Sequence, residues 1–177
     1  MRLAATLALA VNLWAAPAYA MLALGQTAPD FRLNAAKNGE VVTVDSQALR
    51  RRGPVVVYFY PAAFTPGCSL EAKLFADQTP SFERMNATVV GISGDDINTL
   101  KEFSVAHCRG RFPVASDSGL KVAKQFDATS SFGGGFAARI SYVIDSSGKV
   151  RYALNDSNPS KHVEGTLSTG RALSSTK

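Results

Sequence analysis

Short apolar, β-branched runs that alternate with segments of helical period predict an α/β domain with a central mixed β-sheet flanked by helices. Three stretches carry that expectation. Val55 to Tyr60 is a continuous apolar and aromatic run, as expected of a central strand covered on both faces. Leu100, Phe103 and Ala106 share one face of a helix running from about Asp96 to His107. Ile140 to Ile144 and Val150 to Leu154 flank the turn sequence Asp145-Ser146-Ser147-Gly148 and predict an antiparallel hairpin, which makes the sheet mixed rather than doubly wound.

The remaining elements follow in chain order. The first twenty residues run from Arg2 through an apolar stretch, Leu3 to Ala16, to Pro17-Ala18-Tyr19-Ala20 with its small-x-small ending. This reads as a cleaved secretory signal, residues 1–20. The alternative, an uncleaved anchor, is weakened by an apolar stretch only just long enough to span and interrupted by Asn12. Residues 21–177 then form a single exported domain with no stable membrane insertion. A chain of 177 residues with 46% hydrophobic content can bury one core, and a second domain is not expected. Strand 55–60 stops at Pro61, and Thr88 to Ser93 predicts a second buried strand. Arg111 to Ala115 is a short strand, while Leu120, Ala123 and Phe126 mark a short helix by their three-residue spacing. Ser160 is read as the cap of a last helix carrying Val163 and Leu167. Buried strands, a late hairpin and helices on both faces describe the thioredoxin-like class.

Composition excludes several functions. The net charge is +5, but the basic residues are scattered and leave no nucleic-acid footprint. Gly133-Gly134-Gly135 lacks the Lys-Ser/Thr of a phosphate loop and reads as a flexible loop leading to the Arg139 strand. No metal site is expected from two well-separated thiols with only His107 and His162 besides, each histidine reading as a surface or packing residue. The two cysteines, Cys68 and Cys108, would share a disulfide-permitting compartment, so a structural staple and a reactive thiol both stay open.

The informative segment is Pro61-Ala62-Ala63-Phe64-Thr65-Pro66-Gly67-Cys68, at the junction between the central strand and a helix. Thr65 is a good N-cap and Pro66 a favoured first helical residue, which places Cys68 third in the helix. There the unpaired N–H groups of residues 67 to 69 and the positive end of the helix dipole stabilise an anion and favour the nucleophilic thiolate. The plainer reading is a small buried cysteine near a strand end.

The segment resembles the Pro-x-x-x-Thr/Ser-x-x-Cys pattern of the peroxiredoxins, specifically the bacterioferritin comigratory protein or peroxiredoxin Q subfamily. Pro61, Thr65 and Cys68 match it position for position, and Glu71 follows as in that subfamily. Gly25 to Leu33, Phe112 to Asp117, Arg139 with Ile140 to Asp145, and His162-Val163-Glu164 resemble further family segments in the family's order. The resemblance implies a thioredoxin-like fold and a thiol-dependent peroxidase that reduces hydrogen peroxide and organic hydroperoxides without a cofactor. It implies that Cys68 attacks the peroxide and passes to a sulfenic acid, that the Thr65 hydroxyl bonds the substrate, that Arg139 holds thiolate and substrate, and that Pro61 shields the sulfur. Glu71 is read as a partner behind the site or a charge on the helix surface.

Many members of the subfamily carry a resolving cysteine five residues after the first, but that position is Lys73. Other members carry it on the later helix, where Ser104 stands at the usual turn and Cys108 about one turn beyond. An intramolecular Cys68–Cys108 disulfide and resolution by an external thiol therefore both remain, with a thioredoxin-like or other thiol as reductant. A monomer exported to a bacterial periplasm is expected. Two further functions are weighed: a thioredoxin-like disulfide oxidoreductase, which wants Cys-x-x-Cys where this chain has Glu71, and a binding domain stapled by Cys68–Cys108.

Overall fold

The computed structural model describes residues 21–131 and 134–175, so the expected signal segment and Gly133 lie outside the described residues. In chain order the elements are β1 (Arg32–Lys37), β2 (Glu40–Asp45), α1 (Ser46–Arg50), β3 (Val55–Phe59), α2 (Pro66–Arg84), β4 (Thr88–Ser93) and α3 (Ile97–Ala106). They continue with β5 (Val114–Ser116), α4 (Lys121–Gln125), β6 (Ile140–Ile144), β7 (Val150–Asn155) and α5 (Pro159–Ser174).

The strands form one seven-stranded mixed sheet in the order β2-β1-β5-β4-β3-β6-β7. β3 runs parallel to β4 and β4 to β5, while β6 lies antiparallel to β3 on its other side. The continuous apolar run of β3 is explained by its two faces. Val55, Val57 and Phe59 pack with Phe126, Ile140 and Tyr142 on one face of the sheet. Val56 and Tyr58 pack with Phe75, Phe82, Phe103 and Val163, from helices α2, α3 and α5, on the other. Alternate residues thus serve separate cores, and neither face tolerates a polar position.

α3 lies within the expected span, with Asp96 as N-cap accepting from Asn98 N and Thr99 N. β6 and β7 pair as an antiparallel hairpin whose turn is held by Asp145 Oδ1, which accepts from the Ser147 and Lys149 amides at 2.9 Å. Two features depart from the sequence reading. The last helix begins two residues earlier: Asn158, not Ser160, is the N-cap, and its side chain accepts from Ser160 N at 3.0 Å with Pro159 opening the helix. An additional antiparallel hairpin, β1–β2, turns at Asn38 and Gly39, both with positive φ of 52° and 80°.

β4 passes beside the Tyr58 ring at Gly91, where an added Cβ would lie 2.7 Å from ring and hydroxyl atoms. Because Tyr58 is fully enclosed and stacked on Phe75, it has little room to yield. Gly91→Ala is expected to cost about 1–3 kcal/mol, read as a lower denaturation midpoint. An unchanged midpoint would mean that the Tyr58 core repacks freely.

Candidate active site

β3 ends at Phe59, and the chain crosses Tyr60 and Pro61 before α2 starts at Pro66. The crossing is pinned from β4: Asp95 Oδ2 accepts from Ala63 N at 2.8 Å and from Ser93 Oγ at 2.7 Å. Phe64 sits at φ 62°, an uncommon backbone region for a bulky residue. Its ring meets Phe103 and His107 edge-on at centroid distances of 5.3 Å and 5.4 Å, contacts that help hold the loop in that shape.

Cys68 occupies the third position of α2 and is buried. Thr65 is the N-cap residue by backbone, but its side chain makes no capping bond; its hydroxyl donates to the Ala62 carbonyl at 2.9 Å. The Ser69 N–H is taken by the Thr65 carbonyl at 2.8 Å. The dipole end expected to favour an anion is therefore narrowed to the Gly67 and Cys68 amides.

Arg139 stands one residue before β6. Its Nη2 donates to Cys68 Sγ at 3.2 Å, while Nη1 is paired with Glu71 Oε2. Gly67 makes this approach possible, since a Cβ there would lie 3.0 Å from Arg139 Nη2. Burial works against the guanidinium charge, but Glu71 and Cys68 outweigh it and hold Arg139 more firmly protonated than usual.

Glu71 is fully buried, one turn beyond Cys68 on the same helix, which corrects the alternative of a helix-surface charge. Burial raises its pKa to about 7 against the opposing pull of Arg139. His162, at the start of α5, is also fully buried and so is not a surface residue. Its Nε2 lies 2.8 Å from the Asp156 carbonyl and its Nδ1 2.8 Å from Ser141 Oγ. Burial, with Arg139 adding to it, holds its pKa below the ordinary imidazole value.

The structure thus joins Cys68 and Arg139 directly. Pro61 and Arg139 line a common cavity of about 430 Å³ that also includes Phe136 and Asn155. Thr65 is exposed at the start of α2. Cys108, in the turn after α3, is itself buried, and both cysteines are free, so the fold stands without the Cys68–Cys108 staple. Burial pushes the Cys108 thiol well up, keeping it protonated in this conformation. Gly67 and the depth of Glu71 and His162 were not legible beforehand. The Arg139 guanidinium, with several donors in a fixed fork, could have pointed to Glu71, because it takes more than one partner.

The sequence model described as AhpC/TSA family matches residues 24–153. The protein from Oryza sativa subsp. japonica called Peroxiredoxin Q, chloroplastic, is 39% identical over 150 residues, 84% of this chain and 67% of that one. The protein of the same name from Arabidopsis thaliana is 37% identical over 150 residues, with the same shares of 84% and 67%. Among solved structures, peroxidoxin BcpB from Mycobacterium tuberculosis matches with a TM-score of 0.75 and 33% identity, covering 85% of this chain and 97% of that one. AhpC from the same organism, at 21% identity and a TM-score of 0.76 over 89% and 96% of the two chains, shares the fold.

The Glu71 carboxyl keeps its proton to about pH 7 in the folded protein, whereas an ordinary carboxyl releases it near 4.5. Between those values the folded state holds more protons than the unfolded state. The stability contributed by this group is therefore full below about pH 4.5 and is lost as pH rises through about 7. Chemical denaturation of wild type and Glu71→Gln across that range is expected to show a decline in wild type that the variant lacks. Parallel curves would show that Glu71 titrates as it does in the unfolded chain.

Proposed function

The chain belongs to the AhpC/TSA family and is a thiol-dependent peroxidase, and from that premise we propose that Cys68 is the residue that attacks the peroxide. The observation that carries this is the 3.2 Å bond from Arg139 Nη2 to Cys68 Sγ in the first turn of α2. A thiolate there is held by a permanently charged donor and by the free amides of the helix start. As Sγ forms a bond to one peroxide oxygen, the O–O bond breaks and the other oxygen leaves as an alkoxide or hydroxide that takes up a proton. Arg139 offers donors to the charge that develops on the oxygens, the Thr65 hydroxyl binds the substrate and Pro61 closes one side of the sulfur.

The product at Cys68 is a sulfenic acid, which a second thiol attacks with release of water to leave a disulfide. We assign that thiol to Cys108, reduced in turn by a thioredoxin-like dithiol. Cys108 must first leave its enclosed turn, because the protonated thiol is a poor nucleophile and a disulfide needs Cα atoms within about 7 Å. The Cys-x-x-Cys oxidoreductase reading is not favoured, since Glu71 stands where the second cysteine would. Residues 1–20 support export and a mature domain from about Met21, and a periplasmic monomer is the setting we propose.

Three substitutions test the assignment. Cys68→Ser should abolish peroxide consumption, and activity that survives it would exclude Cys68 as the nucleophile. Arg139→Lys, which keeps the charge but loses the fork between Sγ and Glu71, should lower the peroxide rate constant about a hundredfold. Cys108→Ser should leave the first turnover intact and let the sulfenic acid accumulate, as read by thiol mass spectrometry; unchanged multi-turnover kinetics would move the resolving role to an external thiol.

A further inference from the structure

Behind Arg139, two groups that the peroxide chemistry does not use face each other. Glu71 Oε1 is buried and has no hydrogen-bond partner among the described residues. The atom opposite it is His162 Nδ1, at 3.9 Å, on a side chain that is itself fully enclosed. A backbone carbonyl can only accept, so the 2.8 Å contact with Asp156 O puts the ring proton on Nε2. In the neutral ring Nδ1 is then an acceptor, occupied by the Ser141 hydroxyl at 2.8 Å. Two acceptors thus confront each other out of reach of water, an arrangement that one added proton relieves.

Charge counting points the same way. The titratable and charged groups around the pair are Cys68 beside it on α2, Arg139 before β6, Tyr58 on β3 and Asp156 before α5. Tyr58 is held neutral by burial, and Asp156 is paired with Lys161 at 2.6 Å. The balance therefore lies among Arg139, Glu71 and Cys68. With Cys68 as thiolate and Glu71 ionised, one cation faces two buried anions.

We propose that Glu71 and His162 together hold one proton whenever Cys68 is a thiolate, making them positioning residues that leave the charge of Arg139 available to the sulfur. This rests on Cys68 being the attacking residue. The proton also balances the reaction. Thiolate, Arg139, ionised Glu71 and one proton sum to no net charge, and so do sulfenic acid, Arg139 and ionised Glu71 once the S–O bond has formed, the O–O bond has broken and the alkoxide has left as alcohol. The cluster thereby stays neutral throughout without drawing a proton from solvent. The raised Glu71 carboxyl and the depressed His162 imidazole favour Glu71 as the holder.

The test is a proton count in a single turnover. Reduced protein is mixed with one equivalent of tert-butyl hydroperoxide and a pH indicator in weak buffer at about pH 8, where Glu71 is ionised beside a neutral sulfur and, on the proposal, still protonated beside the thiolate. Thiolate content is read from ultraviolet absorbance, and oxidised Cys68, as sulfenic acid or as its disulfide with Cys108, by mass spectrometry. Wild type should take far less than one proton from solvent for each thiolate converted, and Glu71→Gln about one. His162→Gln, which keeps an amide donor for the Asp156 carbonyl but removes the Nδ1 acceptor, should fall between them. Uptake of a full proton by wild type, or equal uptake in wild type and His162→Gln, overturns the proposal, and these two proteins decide it even if Glu71→Gln does not fold. Absence of any oxidation at Cys68 in wild type, as sulfenic acid or as a disulfide with Cys108, would instead overturn the Cys68 assignment.

Discussion

The fork of Arg139 is the contact on which the site depends, because it ties a residue far along the chain to the first turn of α2. The sheet puts it there. β3 and β6 pair antiparallel with Phe59 opposite Ile140, so the residue before Ile140 falls at the end of these strands where β3 gives way to Pro61. α2 starts at that same end, and Gly67 in its first turn leaves space for the guanidinium. A one-residue slip of β6 would turn every side chain on it to the opposite face and exchange the two cores. Packing of β6 on both faces therefore fixes the geometry of the sulfur site as firmly as any contact within it.

Much of this was legible from the sequence where a local cause acts alone. β4 agrees with the expected span because its flanks change character abruptly, and α3 is bounded by a strong Asp96 cap. Ser160 is a good capping type, but Pro159 at the first helical position marks Asn158, the residue before it, as the cap. The Asn38-Gly39 pair was an equally local hairpin signal, and it shows φ > 0 at both residues. Arg139 came from a family pattern rather than from its own neighbourhood, whereas Cys68 also had a local cause in the helix start that follows Pro61. Glu71 and His162 were harder for a physical reason: nothing local tells a buried charged residue from an exposed one when its partner lies on another element.

The two thiols are equally buried but differ in their surroundings. Both lie in the core between the sheet and helices α2, α3 and α5. Cys68 has a cationic donor and a helix start, whereas Cys108 sits in the turn after α3 with burial alone acting on it. The Phe64 ring spans the two regions by packing on Phe103 and His107. The loop before Cys68 and the turn that holds Cys108 are therefore in direct contact.

Thr65 breaks a local rule of helix capping. A threonine before Pro-Gly-Cys should cap the helix by accepting from its first amides, and that would spend its oxygen lone pair on the backbone. Here the hydroxyl hydrogen goes to the Ala62 carbonyl, and the oxygen makes no bond to the helix. A hydroperoxide brings one proton that needs an acceptor and two oxygens that need donors as charge develops. In the proposed site an uncommitted Thr65 oxygen meets the first need and Arg139 with the helix amides meets the second. The missing cap costs about 1 kcal/mol of helix stability, and such a departure from local preference is expected where a residue is kept for binding.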